Sequence, residues 1–373
     1  MFRELYIHVP FCLKKCDYCA FYSIENSTAA LRERWLDRII CDLELHRDRL
    51  QDLQSVYFGG GTPTLPDTDF LERMFHRILR SGIIGLQRDA EITSEANPET
   101  INGEKAALLT RYVNRISMGV QSFHPEKRAV LGRRPASAEH VFTAVEHLRK
   151  NGLANLGFDL MYAVPGETLE DWTADLRQAA VLAPEHLSAY ALTPEERTPY
   201  ADRHGLKPPD DELSSAMWHR AGEILQEQGL TRYEISNYAK PGFEAKHNCH
   251  VWQGQTYLGL GPSATSFDGT DRWTEPADLN AWIERTEAPE TDRIPREKRL
   301  REMLIMGLRQ VNGWTRSQFR RAVNSDEEAD WMRLAGPELL SLQRTGLLTV
   351  NEELCRPTET GLEFWNEIAE QLI

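Results

Sequence analysis

Short runs of β-branched and aromatic residues recur along this 373-residue chain, and most are followed by apolar residues at helical spacing. "ELYIHV" (4–9) precedes a loop and the amphipathic "LRERWLDRIICDLELHRDRL", and "SVYFGGG" (55–61) precedes "DFLERMFHRILRSG". "DAEITSEANP" (89–98) leads to "INGEKAALLTRY", and "VNRISMGVQSF" (113–123) to a helix expected to begin near Ala136. "NLGFDLMYAVPG" (155–166) leads to "LEDWTADLRQAAVLA", and "HLSAYALT" (186–193) closes the series. Six strands spaced roughly 25–50 residues apart, with helices between them, predict an α/β fold with a parallel sheet, open or closed into a barrel. Each strand runs into a polar or glycine-rich tip, where parallel α/β folds bind their ligands.

The pattern changes after residue 193. Residues 194–295 mix helix, Pro-rich loop and a glycine-rich strand, "TYLGLGPSATSF" (256–267). From 296 the helix "EKRLREMLIMGLRQ", the turn "VNGW" and the basic helix "TRSQFRRAV" are followed by a predicted β-hairpin, "LLTVNEELCRPTETG", and a terminal helix. Helices followed by a hairpin predict a winged-helix-like module. The expected division is therefore 1–193, 194–295 and 296–373.

Composition bounds the partners. The formal net charge is −14, and residues 296–373 carry 11 Lys/Arg against 13 Asp/Glu. Binding to nucleic acid needs basic surface, so the terminal module is expected to pack on the main body rather than hold DNA or RNA. The basic stretch "LGRRP" (131–135) could still hold a small anion. No apolar run is long enough to span a membrane, and the first residues lack the layout of a signal peptide, so a cytoplasmic protein is expected. Thiols stay reduced in that compartment, and clustered cysteines then read as metal ligands or redox groups.

Three of the six cysteines lie within eight positions, in "YIHVPFCLKKCDYCAFYS" (6–23). Cys12, Cys16 and Cys19 are spaced Cys-x3-Cys-x2-Cys. A closed zinc site wants a fourth ligand, for which His8, Cys41 or a distant residue is available. Three thiolates on one tight loop suit an iron–sulfur cubane with one iron left without a protein ligand. Further along, "GGGTPT" (59–64) lets backbone approach a ligand closely without matching a dinucleotide fingerprint. Glu95, Gln121, Arg133 and Asp159 each follow or end a predicted strand. Together they offer acceptors for hydroxyls and an amine, and a guanidinium for a carboxylate.

The cysteine spacing, followed by an aromatic at Tyr18, resembles the signature of the radical S-adenosylmethionine (SAM) superfamily. With "GGGTPT", "SMGVQSF" and "FDLMYAVPGET" the chain is similar, over nearly its whole length, to the oxygen-independent coproporphyrinogen III oxidase-like family. That resemblance implies a partial (β/α)6 barrel with a C-terminal helical, winged-helix-like domain. It implies that Cys12, Cys16 and Cys19 hold a 4Fe–4S cluster, with Tyr18 beside it. Tyr6, Gly60, Gly61, Thr62, Glu95, Gln121, Arg133, Asp159 and Ala191 are then expected to line the SAM site.

Within the family two features resemble the heme-chaperone branch. The decarboxylating oxidase carries a further cysteine two positions after the third ligand, where this chain has Phe21, and an N-terminal extension, whereas Tyr6 is here the sixth residue. In addition, "KHNCHVW" (246–252) resembles a heme-binding motif, His-Asn-x-x-Tyr-Trp, with Val251 in place of the tyrosine. The resemblance makes His247 the expected heme ligand, with His250 and Cys249 as alternatives, Trp252 a flat face for the macrocycle and Lys246 a partner for a propionate. The implied activity is a carrier that passes heme to apo-heme-protein acceptors, including membrane-bound ones approached peripherally. The alternatives are a radical SAM decarboxylase of coproporphyrinogen III and another SAM-dependent tetrapyrrole-modifying enzyme.

Overall fold

The computed structural model describes residues 1–133, 138–202, 209–323 and 330–373; Arg134 and the helix start expected near Ala136 lie outside them. The strands are β1 (Glu4–Val9), β2 (Phe11–Cys12), β3 (Ile24–Glu25), β4 (Leu53–Gly60), β5 (Leu86–Ala96), β6 (Arg115–Gln121), β7 (Asn155–Tyr162) and β8 (His186–Ala191). They continue with β9 (Thr231–Arg232), β10 (Asn237–Ala239), β11 (Tyr257–Leu260), β12 (Thr265–Phe267), β13 (Arg272–Thr274) and β14 (Glu290–Asp292).

Twelve of these form one sheet, in the order β14-β13-β12-β11-β1-β4-β5-β6-β7-β8-β10-β9. The six expected strands lie side by side and parallel, from β1 to β8. A seventh parallel strand, β11, lies against the free edge of β1, and antiparallel strands extend both flanks. The glycine-rich segment at 256–267 therefore belongs to the barrel wall, with Leu258 and Leu260 in the same core as β1.

Alternation along the strands explains the curvature. Leu5, Ile7 and Val9 of β1 and Val56 and Phe58 of β4 are fully buried beneath the helices. Their neighbours Glu4, Tyr6 and His8, and Ser55 and Tyr57, turn to the concave side, because successive side chains point to opposite faces. The helix Thr68–Leu79 shows how the outer layer is fixed. Asp67 caps it by accepting from the Phe70 N–H at 2.9 Å, and Phe70, Leu71, Met74, Phe75 and Ile78 are buried on one face. The sheet thus presents a polar interior inside an apolar shell.

Residues 300–372 contain a second hydrophobic cluster, built on Leu304, Trp314, Phe319, Trp331 and Leu339. Its small sheet orders β15 (Trp314–Thr315), β17 (Leu354–Pro357) and β16 (Leu348–Val350), with the helices Arg296–Gly307, Arg316–Val323 and Trp331–Arg344 around it. It docks on the main body through Leu362 and Val311, which pack in and against the main core, and through polar contacts. Gln310 Nε2 donates to the Cys249 carbonyl at 3.2 Å, Arg309 pairs with Glu234 at 3.3 Å, and Glu363 accepts from Ser215 and lies 3.2 Å from His219 Nε2. Among the described residues, no helix is long and apolar enough to cross a membrane.

Candidate metal and cofactor site

The cysteine loop begins where β1 ends. Parallel pairing of β2 with β3 closes it at its base, and the Ile24 N–H donates to the Pro10 carbonyl at 2.7 Å. Glu25 accepts from the Lys15 N–H at 2.7 Å, and Asp17 is held through its N–H to the Leu131 carbonyl at 3.1 Å. These contacts fix the loop over the carboxyl ends of the parallel strands. Tyr18 packs beside a small cluster of Leu131, Met161, Val164, Leu192 and Tyr200.

Beneath the loop lies a cavity of about 670 Å³. Cys12, Cys16 and Cys19 line it, together with Tyr18, Gly60, Gly61, Thr62, Glu95, Gln121, Arg133, Asp159 and Ala191. Residues up to 179 positions apart in sequence are brought together because most of them end, or nearly end, strands of the same parallel sheet; Cys16, Tyr18 and Cys19 come from the loop after β2, and Arg133, expected to follow a strand, instead follows the helix Pro125–Val130. Asp159 differs from expectation: it lies inside β7 rather than at a tip, with Ser117 Oγ donating to its two oxygens at 3.2 Å. Tyr6 also differs. It lines a neighbouring cavity, and its hydroxyl meets His8 Nδ1 at 3.0 Å.

Several lining residues were not singled out from sequence. Asn97 donates to Thr62 Oγ1 at 3.0 Å and accepts from Arg133 at 2.7 Å, and so ties two predicted residues together. Tyr57 donates to Glu95 Oε1 at 2.8 Å, while the Gly60 N–H donates to Oε2 at 3.1 Å. Arg115, Ser117 and Ser188 also line the cavity. The signal for Ser117 and Tyr57 was the period-2 alternation of their strands, which marks the inward face without saying what that face encloses.

Electrostatics here follow burial. Burial pushes the Glu95 carboxyl up to about 7, against the pull of Tyr57 and the Gly60 N–H, and it raises Asp159 as well. Burial raises the thiols of Cys12 and Cys19, the latter to about 11. Free of metal they are therefore neutral thiols near pH 7, and an iron–sulfur cluster would have to displace their protons. Gln121 ends β6 at φ +65°, a left-handed conformation that non-glycine residues rarely adopt and that clusters at functional sites.

A second cavity, of about 770 Å³, adjoins the first and shares Tyr57, Gly60, Glu95, Phe21 and Asn248 with it. His247, Val251 and Trp252 line it from the helix Lys246–Trp252, which lies against the amino-terminal ends of β1 and β4. His247 is buried, its Nδ1 lies 2.6 Å from Ser55 Oγ, and its ring centroid is 5.2 Å from that of Tyr57. Burial drops its pKa to about 3, so the imidazole is neutral. Neither alternative lines this cavity. His250 Nδ1 lies 2.7 Å from Glu4, and burial pushes the half-buried Cys249 thiol up to about 12. Lys246, expected to face a propionate, instead donates to the Asp89 carbonyl at 2.9 Å.

A model of the radical SAM superfamily matches residues 6–179. The heme chaperone HemW of Haemophilus influenzae is 37% identical over 268 residues, which cover 70% of this chain and 69% of that protein. The chain belongs to the HemW family. The heme chaperone HemW of Lactococcus lactis subsp. lactis is 29% identical over 380 residues, covering 100% of this chain and 97% of its own length. The fold is that of the coproporphyrinogen III oxidase HemN from Escherichia coli, described as a radical SAM enzyme. The two share a TM-score of 0.84 at 23% identity, over 100% of this chain and 90% of that one.

Membership in the superfamily implies a 4Fe–4S cluster and SAM. The residues present fit both. Among the described residues no three His, Cys, Asp or Glu side chains converge on a point suited to one metal ion. The three thiols are instead spread around a shared space, and both nitrogens of His8, the nearest candidate for a fourth zinc ligand, are engaged by Tyr6 and the Tyr22 carbonyl. A Cβ on Gly61 would lie 2.8 Å from the Val9 carbonyl oxygen and 2.9 Å from Phe11 backbone atoms, so only glycine lets this turn pass under the loop. Arg115 adds a buried guanidinium whose Nε has no partner among the described residues.

Proposed function

We propose that this protein is a heme chaperone: it holds a 4Fe–4S cluster and exchangeable SAM beneath the cysteine loop, binds heme in the adjoining cavity, and passes it to acceptor proteins. Cys12, Cys16 and Cys19 would hold the cluster. Such a cluster, when bound, supplies one-electron chemistry and an iron open to a non-protein ligand. Arg133, oriented by Asn97, suits the SAM carboxylate. Glu95 and Asp159 suit its amine and ribose hydroxyls, and Gly60 and Gly61 let it approach the backbone. His247 would ligate heme, with Trp252 as an apolar wall.

The observation that carries this reading is that the two cavities meet at Phe21, which is 68% exposed and lines both. The oxidase branch has a thiol at that position. An aromatic ring can neither ligate metal nor donate a hydrogen atom, but it gives a macrocycle an apolar surface. A carrier of this kind fits a cytoplasmic protein that reaches membrane-bound acceptors from outside the bilayer.

Anaerobically reconstituted protein tests the proposal. Hemin should produce a Soret band at one heme per chain, and incubation with an apo-heme protein should transfer it. Coproporphyrinogen III should not be decarboxylated at an enzymatic rate. Turnover of coproporphyrinogen III without heme transfer would establish the oxidase reading instead, and SAM-dependent alteration of bound heme would establish a modifying enzyme.

A further inference from the structure

Four side chains are joined at the amino-terminal end of the barrel. Glu4, fully buried, accepts a hydrogen bond from Ser55 Oγ through one carboxylate oxygen and lies 2.7 Å from His250 Nδ1 through the other. Ser55 Oγ in turn lies 2.6 Å from His247 Nδ1. The chain arises from register, since Glu4 and Ser55 are directly paired on the parallel strands β1 and β4 and both turn inward.

With Glu4 as the carboxylate that His250 and Ser55 hold, these contacts leave one consistent arrangement of protons. A carboxylate only accepts, so the Ser55 hydroxyl directs its single proton to Glu4. The short contact to His247 must then be bridged by the imidazole's own Nδ1–H. A neutral imidazole protonated at Nδ1 carries its free lone pair on Nε2. Nε2 has no hydrogen-bond partner among the described residues, and His247 lines the second cavity. The ring is held in place as well. Tyr57 and Tyr6 pack near it, with centroids 5.2 and 6.5 Å away, and Glu91 accepts from the backbone N–H groups of Lys246 and His247 at 3.1 and 3.2 Å.

We infer that Glu4 and Ser55 are positioning residues: they fix His247 in the Nδ1-protonated tautomer, so that Nε2 is the atom offered to heme iron. This rests on the reading of His247 as the heme ligand. A ligating imidazole whose other N–H is hydrogen-bonded toward a carboxylate is a better donor to the metal, and loss of such a partner typically weakens metal binding ~10–100-fold. Glu4 binds His250 with its second oxygen, so the two histidines of "KHNCHVW" have different tasks: His247 faces the cavity and His250 orients the carboxylate.

The test compares Ser55→Ala, Glu4→Gln and His247→Ala in full-length, cluster-loaded protein, by hemin titration, electron paramagnetic resonance of the ferric heme and its midpoint potential. Ser55→Ala is expected to weaken hemin binding ~10–100-fold, to raise the midpoint potential and to change the ferric spectrum, while the cluster absorbance stays as in the parent. Glu4→Gln should raise the potential too; if it fails to fold, seen as loss of cluster absorbance, Ser55→Ala decides alone. Unchanged affinity, potential and spectrum in Ser55→Ala, with binding lost in His247→Ala, would overturn the inference and leave the ligand reading standing. Unchanged hemin binding in His247→Ala would overturn the ligand reading, and the inference with it.

Discussion

Glu95 shows how one residue's surroundings set its chemistry. In the free protein burial holds its carboxyl near 7, so it is part-protonated at neutral pH. Between the unfolded value of 4.5 and about 7 the folded chain keeps a proton that the unfolded chain releases, so this group's contribution to stability falls as pH rises through that window. Bound SAM carries positive charge that favours the carboxylate. SAM binding is therefore expected to release a proton below about pH 7 and to weaken as pH falls, and Glu95→Gln should flatten the profile; calorimetry in buffers of different ionisation enthalpy measures both. Arg133 is the second test at this scale. Its removal as Arg133→Ala deletes a charge-assisted contact worth roughly 1.5–3 kcal/mol, so SAM should bind at least about tenfold more weakly in the same calorimetry. Cys12→Ala, Cys16→Ala and Cys19→Ala should each abolish iron–sulfur absorbance, and zinc without iron after anaerobic purification would contradict the cluster assignment.

At the scale of elements, the site depends on how a turn and a short helix meet the sheet. The Gly61 N–H donates to the Val9 carbonyl at 2.9 Å and the Thr62 N–H to the Phe11 carbonyl at 2.8 Å, so the end of β4 holds the base of the cysteine loop. Gly61→Ala would force a methyl against that backbone, which cannot yield as a side chain can. It should destabilise the protein by about 1–3 kcal/mol and lower iron content, read by denaturation and iron analysis. The Lys246–Trp252 helix has only seven residues, too few to persist alone. Glu91 from β5 holds its first turn, and Gln310 from the C-terminal module donates to the Cys249 carbonyl at its middle. With Ser55 of β4, His247 is therefore set by three distant parts of the chain.

At the scale of the whole molecule, two hydrophobic clusters meet at a seam of polar contacts joined by Leu362 and Val311. The C-terminal cluster turns on Trp314, which is fully buried, donates to the Leu304 carbonyl at 3.1 Å and lies edge-on to Phe319. Trp314→Ala should cost about 3–5 kcal/mol in denaturant unfolding. Because the seam contacts of Gln310, Arg309 and Glu363 do not involve the cysteine loop, while Gln310 holds the Cys249 carbonyl, the cluster absorbance should survive while hemin binding at the Lys246–Trp252 helix weakens.

The sequence by itself determined the order of strands and helices, the family and the set of groups available for chemistry. Those follow from local periodicity and spacing: alternation exposes one face of each strand, and three cysteines in one loop need no distant partner to be noticed. Only the tertiary structure decided which groups meet. Tyr6 and Asp159 both lie on inward faces, yet parallel register sends Tyr6 to the cavity of His247 and Asp159 to that of the cysteines. Asn97 and Tyr57 gained importance from what stands opposite them, Arg133 and Glu95, on neighbouring elements. His247, His250 and Cys249 are alike in sequence as ligands. They were separated because a seven-residue helix turns them in different directions, one to a cavity and one to the carboxylate of Glu4, and helical direction relative to a sheet is a property of packing rather than of local sequence.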